Sequence, residues 1–306
     1  MRKQRRLLFG AVFMLSAWWL TACGEGPGGS EIGGAVTIQG LVKRSDTRGL
    51  PDPGTTVTVA GKTVQVTNLR QNRDGQDYNF EVVGVPSTTS EGRVSPPPGS
   101  ADTPAIFPLP PLPRSGTVYI GEVYIGPNTG VAKATGKVVS AETGQPVANA
   151  KVTIGAFSTR TNAAGSFFFD RLVAQTDRGT VEATGFERKV FAIDPPLVPG
   201  DNDLGEIRLA PPVGNDPPSG PYNLRGTVSV PSPDSPVGAS VVLLDAETQT
   251  QVDSVVITQT SGEFRFWVPF GQYILRVSKS GYITVQQEVT LTAQNQPLIV
   301  NVNLTR

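Results

Sequence analysis

The sequence predicts an all-β protein built as an array of similar modules, and three observations carry that prediction. Period-two alternation of apolar side chains recurs after residue 35, as half-buried strands require, and no stretch sustains the 3.6-residue apolar period of an amphipathic helix. Glycine and proline number 34 and 27 of 306 residues, a turn-dense composition that stops short of low complexity. The third observation is repetition: the segment from Val131 lays over the segment from Tyr222, motif on motif.

Residues 1–22 read as an export leader. Arg2, Lys3, Arg5 and Arg6 precede an apolar run from Leu7 to Leu20, 14 residues long, which suits a secretory segment better than the ~20 residues a membrane-spanning helix needs. Leu20-Thr21-Ala22-Cys23 resembles the bacterial lipobox, and Cys23 is the only cysteine in the chain. The resemblance implies a lipoprotein: Cys23 becomes the mature N-terminus and its sulfur carries lipid, and two or more acyl chains suffice for stable anchoring. The alternatives are an ordinary signal peptide with a chance cysteine, or an uncleaved anchor helix ending at Cys23. Gly24 lacks the Asp that retains such proteins at an inner membrane. The expected location is therefore the cell envelope: the outer membrane where the organism has two, otherwise the outer face of the cytoplasmic membrane. Residues 23–35, largely GEGPGGSEIGGA, have the composition of a flexible tether.

Charge and residue inventory exclude several function classes. Without the four leader cations, 22 basic residues face 26 acidic ones, a net of −4, so nucleic acid is not an expected partner. There is no histidine, which removes most general-base, metal-ligand and nucleophile-partner constellations, and no second cysteine for a disulfide or thiolate site. Paired carboxylates or Ser-Lys chemistry stay open, but Asp74, Asp170, Asp201 and Asp203 read as turn residues. Asp201-Asn202-Asp203 is likewise read as a turn, since it lacks the further oxygen ligands that calcium requires. No catalytic residue, metal site or cofactor is assigned, and the protein is not expected to be an enzyme.

The repeat is clearest in the middle and last segments. Gly136-Lys-Val-Val and Gly226-Thr-Val-Ser open the two copies, and Pro146-Val-Ala-Asn-Ala and Pro236-Val-Gly-Ala-Ser follow at the same spacing. Then Gly165-Ser-Phe-Phe-Phe matches Gly262-Glu-Phe-Arg-Phe, aromatics two and four residues past the glycine, hence on one face of a strand. Gly185-Phe186 matches Gly281-Tyr282, and closing strands run over Leu204–Leu209 and Leu298–Leu304. This ordered set resembles the carboxypeptidase regulatory-like domain, a transthyretin-like seven-strand β-sandwich, over residues 131–210 and 222–306. The resemblance implies the fold and the role of an appended module; it does not imply peptidase activity, because the family's zinc-dependent catalytic domain is a separate unit that this sequence does not contain.

Residues 36–127 read as a divergent copy. Gly40-Leu-Val opens it, Pro51 follows, and Asp74-Gly75 precedes Tyr78 and Phe80, aromatics three and five residues past the glycine. Val57 and Val59, then Val64 and Val66, suggest a hairpin about Gly61-Lys62. Residues 86–113 hold nine of the 27 prolines and are expected to be an inserted surface excursion. Residues 211–221 form a second Pro-rich stretch, a semi-rigid linker.

The candidate ligand-binding residues are Trp267 and Arg265. Phe264, Phe266 and Val268 alternate with them, so both lie on the face away from the core. Trp267 either stacks on a sugar ring or packs under a loop or against the neighbouring module. Tyr273 and Tyr282 read as core and turn packing, and Pro108–Pro113 either as a recognition segment or as a stiff spacer. The expected role is non-catalytic binding or scaffolding, with an envelope glycan or protein as ligand. An accessory subunit of an envelope hydrolase, such a hydrolase itself, and a purely structural spacer are the competing readings.

Overall fold

A computed structural model describes residues 35–210 and 223–306. The leader, Cys23, the tether up to residue 34 and the linker 211–221 lie outside the described residues. Among those described there is no helix, and the strands assemble three times into one plan: a three-stranded sheet facing a four-stranded sheet.

The first module contains β1 (Ala35–Arg44), β2 (Thr56–Val59), β3 (Lys62–Gln65), β4 (Arg70–Gln71), β5 (Asp77–Tyr78), β6 (Phe80–Pro86), β7 (Glu91–Ser95), β8 (Ala105–Pro108) and β9 (Gly116–Ile125). Its sheets run β6-β1-β9 and β3-β2-β7-β8, with β4-β5 as a separate hairpin. The middle module contains β10 (Val131–Ser140), β11 (Lys151–Ile154), β12 (Phe157–Arg160), β13 (Ser166–Val173), β14 (Arg178–Glu182), β15 (Lys189–Ala192) and β16 (Gly200–Leu209), in sheets β13-β10-β16 and β12-β11-β14-β15. The last module contains β17 (Leu224–Ser229), β18 (Ser240–Asp245), β19 (Gln251–Val256), β20 (Glu263–Phe266), β21 (Gly271–Ser278), β22 (Val285–Leu291), β23 (Leu298–Ile299) and β24 (Val302–Asn303). Its sheets are β20-β17-β23, with β24 beside β17, and β19-β18-β21-β22. In every copy the opening strand is central, antiparallel to the fourth strand of the plan and parallel to the last.

A glycine–phenylalanine pair marks each core. Gly40 lies opposite Phe80, Gly136 opposite Phe167 and Gly226 opposite Phe264. A methyl group on any of the three glycines would collide with the ring that covers it. The absent side chain is the space the ring occupies, which is why G-x-V and F recur together.

Residues 86–113 are not an inserted excursion. They carry β7 and β8, two strands of the four-stranded sheet, and bury Val94, Phe107 and Leu109 in the first core. The prolines fall where no ladder donor is lost: Pro96–Pro98 in the connecting loop, Pro104 ahead of β8, and Pro108 at the end of an edge strand. The added segment in this copy is the β4-β5 hairpin, whose turn contains Gly75 at φ 75°. Gly75 is therefore not the counterpart of Gly165 and Gly262, which explains the irregular aromatic spacing. The carbonyls of Gly165 and Gly262 accept Val138 N–H and Val228 N–H at 2.8 and 2.9 Å. In the first module the buried side chain of Asn79 does this instead: its Oδ1 accepts Val42 N–H at 2.7 Å and its Nδ2 donates to the Val42 carbonyl at 2.9 Å.

Two smaller expectations also change. The β2-β3 turn is Ala60-Gly61, both at positive φ (48° and 74°), so Lys62 belongs to the strand. Asp201-Asn202-Asp203 lies within β16, not in a turn, and Asn202 ties it down: Nδ2 donates to the Lys133 carbonyl at 2.9 Å while Oδ1 accepts Val198 N–H at 3.0 Å.

The modules pack against one another within one compact unit, Gly33–Arg306. At the first junction Val173 joins the first module's core, and Ala156 and Phe157 pack beside it. Arg48 donates to the Gln175 carbonyl at 2.8 Å and stands 4.8 Å over the Tyr124 ring. The Tyr124 hydroxyl donates to Glu122, which also pairs with Lys43 at 2.5 Å. Burial first, and then the Glu122 charge, push the Tyr124 phenol well above its usual range; the same two causes put Tyr119 at about 12.

The second junction is built differently. Ala192 of the middle module packs with Val242, Leu244 and Val256 of the last. β18 is consequently buried without a break from Val241 to Leu244, whereas β2 and β11 alternate. Val241 and Leu243 face their own core, while Val242 and Leu244 face the neighbour.

Candidate functional site

The second junction also creates a cleft. One wall comes from the middle module, where Glu187 and Arg188 lead into β15, Lys189 opens it and Arg208 is the penultimate residue of β16. The other wall comes from Asp253 on β19 and from Glu263, Arg265 and Trp267 on and just after β20. Alternation along β20 directs this wall: Phe264, Phe266 and Val268 are buried, Arg265 is exposed and Trp267 is half-buried. Both residues singled out in the sequence thus line one cleft, and Trp267 stands beside the neighbouring module, not on an open face.

The cavity measures about 220 Å³. That is below the ~300–1,000 Å³ of ordinary small-molecule pockets, so it has room for one small group, such as a single sugar ring, and not for an extended ligand. Its charges are internally matched. Arg188 pairs with Glu182 at 2.8 Å, Arg208 with Glu206 at 2.9 Å and Arg265 with Glu263 at 3.4 Å. Lys189 pairs with Asp253 across the junction and also donates to the Arg208 carbonyl at 3.0 Å. Arg208 Nε is buried with no hydrogen-bond partner.

Behind the cleft the two modules are stitched edge to edge. Ser254 Oγ accepts Ala192 N–H and donates to the Ala192 carbonyl, both at 3.0 Å, and Arg276 pairs with Asp194 at 2.5 Å. Lys189 and Asp253 are 14% and 5% exposed at their side chains, so each needs the other to be tolerable there. The partners stand some 60 to 80 positions apart, and nothing in the local sequence pairs them. Only the unbroken Val-Val-Leu-Leu run of β18 signals that a second face is covered.

Chemically the cleft offers one indole face, guanidinium donors and carboxylate acceptors. These are the groups of polar recognition. Among the described residues no three His, Cys, Asp or Glu side chains converge to hold a metal ion. Tyr273 is buried with its hydroxyl on the Pro269 carbonyl at 2.7 Å, and Tyr282 donates to Asp234 under the Arg306 guanidinium, away from the cleft. Cys23 lies outside the described residues.

The profile of the carboxypeptidase regulatory-like domain matches residues 133–203 and 223–305. No curated protein matches. Among solved structures the chain is similar to the TIE protein of Bacillus anthracis at 14% identity, over 88% of this chain and 50% of that one, TM-score 0.22; it thus spans half of that protein's length. It is similar to the major pilin subunit BcpA of Bacillus cereus at 13% identity, over 89% of this chain and 99% of that one, TM-score 0.23. It is also similar to the shaft pilin SpaA of Lactobacillus rhamnosus GG at 10% identity, over 60% and 99%, TM-score 0.21. The two profile matches span half of the sequence, so this chain belongs to the carboxypeptidase regulatory-like domain family, with two members in tandem.

Proposed function

We propose that the protein is a lipid-anchored scaffold of the cell envelope, a stack of β-sandwich modules held off the membrane by Cys23 and the Gly-rich segment that follows it. The observation that carries this reading is the second junction. A buried ion pair, an apolar cluster and a doubly hydrogen-bonded edge fix two modules against each other, and such fixation serves an element that sets distance or presents a surface. The leader and the lipobox-like Leu20–Cys23 support the location. Two measurements test it. Cys23→Ser should leave membranes on carbonate washing, and retention in the pellet would refute the anchor. Crosslinking in intact cells should capture an envelope protein or glycan, whereas turnover of esters, peptides or glycosides by the purified chain would move it to the hydrolase class.

A second reading rests on the cleft itself. Trp267 beside Arg265 suits a sugar ring carrying polar substituents, which would make the scaffold a glycan binder. Trp267→Ala should abolish retention on a glycan array, and unchanged retention would leave the cleft structural.

A further inference from the structure

The three modules differ in what becomes of one edge. The four-stranded sheets end in β8, β15 and β22 respectively. β13 and β10 of the middle module lie against β8, and β19 and β18 of the last module lie against β15. Among the described residues β22 has β21 on one side and no paired strand on the other.

On β22 the Thr290 carbonyl near the end of the strand accepts Asn295 Nδ2 at 2.8 Å, while residues 285–289 carry no such side-chain cap among the described residues. The strand makes seven consecutive pairs with β21 without a register shift, and its sequence Val-Gln-Gln-Glu-Val-Thr-Leu has no proline, glycine or lysine. The remaining edges are blunted. β6 is bulged, and Lys62 occupies the carbonyls of Val83 and Gly84 at 2.9 and 2.8 Å. β9 and β16 carry register shifts, β8 is short and ends in proline, and β3, β12 and β20 have four residues each. A long, regular and uncovered edge is a template for another strand.

We propose that β22 pairs antiparallel with β22 of a second copy, joining two four-stranded sheets into one of eight strands about a two-fold axis. The sequence is self-complementary in one register, centred on Gln287. Val285 then faces Val289 of the second copy, and Gln286 faces Glu288, each pair occurring twice, with the two Gln287 residues opposite each other. Valines extend the core-side row, and the Gln286 amide donates to the Glu288 carboxylate on the outer face. Centring on Glu288 sets like charges face to face and is disfavoured. Gln286, Gln287 and Glu288 are all exposed, so the contact requires no rearrangement of the module. A two-fold axis at β22 gives each copy the same contact, so the pairing closes on itself as a dimer.

The test uses the full-length chain extracted in detergent. Opposed residues of an antiparallel pair have Cα atoms about 4.5–5.5 Å apart, within disulfide reach. Gln287→Cys under copper–phenanthroline should therefore give a disulfide-linked species of twice the chain mass, and Gln145→Cys, exposed on the middle module, should not. Charge variants at an exposed position probe the register without touching the core. Gln286→Glu, which opposes Glu288, should shift sedimentation toward monomer, and Gln286→Lys should shift it toward dimer. Equal crosslinking of the Gln287 and Gln145 variants, or sedimentation indifferent to the charge at 286, would overturn the proposal. So would capture of a different protein by the Gln287→Cys variant.

Discussion

The two junctions solve one problem, fixing a sandwich onto its neighbour, by opposite means. At the first, the middle module adds Val173, Ala156 and Phe157 to a core that already exists, and Arg48, stacked on the Tyr124 ring of its own module, reaches over with a hydrogen bond to the Gln175 carbonyl. At the second, the last module turns the outer face of its own sheet into a second apolar surface and buries a Lys–Asp pair at its margin. The outer faces of β2 and β11 show what that surface replaced. Thr58 bonds Thr63 and Thr153 bonds Ser158, each at 2.8 Å and in water, where the last module has Val242 beside Ser254. The lesson is that the seven-strand plan leaves the outer face of the four-stranded sheet available, and two or three outward residues decide whether it meets water or a neighbour.

The comparison breaks most sharply at Val242. Val242→Asp places a charge in the junction and not in the module core, at a cost of several kcal/mol if the junction stayed closed. The expected outcome is that the modules part, raising the radius of gyration by small-angle scattering while the β-sheet circular dichroism is kept; an unchanged radius would contradict the assignment. Next comes the ion pair. Lys189→Ala leaves Asp253 buried alone and should cost about 3–5 kcal/mol in denaturant unfolding, whereas Lys189→Met with Asp253→Leu should be close to neutral. Equal losses for the two variants would mean that burial of an unpaired charge is not the cause.

The first junction gives a smaller, pH-coded effect. Because the folded-state pKa of Tyr124 is raised, its contribution to stability is complete below the ordinary phenol value near 10 and is lost as pH rises through the raised one. Tyr124→Phe should cost about 0.5–1.5 kcal/mol at pH 8 through the lost hydrogen bond. It should also flatten the alkaline limb of the stability profile, and a limb unchanged in slope would place the transition elsewhere. The smallest effect sharpens the contrast of faces: Thr153→Val, the middle module's counterpart of Val242, should change stability by no more than about 0.5 kcal/mol because its surface stays in water.

Much of each module was legible in the sequence because the relevant physics is local. Alternation placed Phe264, Phe266 and Val268 inward and Arg265 and Trp267 outward, and the glycines of G-x-V stand where rings lie. The Pro-rich 86–113 segment was misread because composition cannot distinguish prolines within a loop from prolines at the margins of an edge strand. Asn79 could not be read as the substitute for a glycine carbonyl, since the β4-β5 hairpin displaces the motif that would reveal it. Half of the cleft was invisible for a different reason. Arg265 on β20 and Trp267 just after it announce themselves, but Arg188, Lys189 and Arg208 belong to another module, and only the packing brings them together.

Read alone, the chain told which side chains of the middle and last modules turn inward, because a two-residue period is a property of neighbouring positions. Tertiary structure decided that Val242 meets Ala192, that Lys189 finds Asp253, and that β22 has no strand paired beyond it among the described residues. Those are matters of which surfaces lose water, and that depends on partners many strands away.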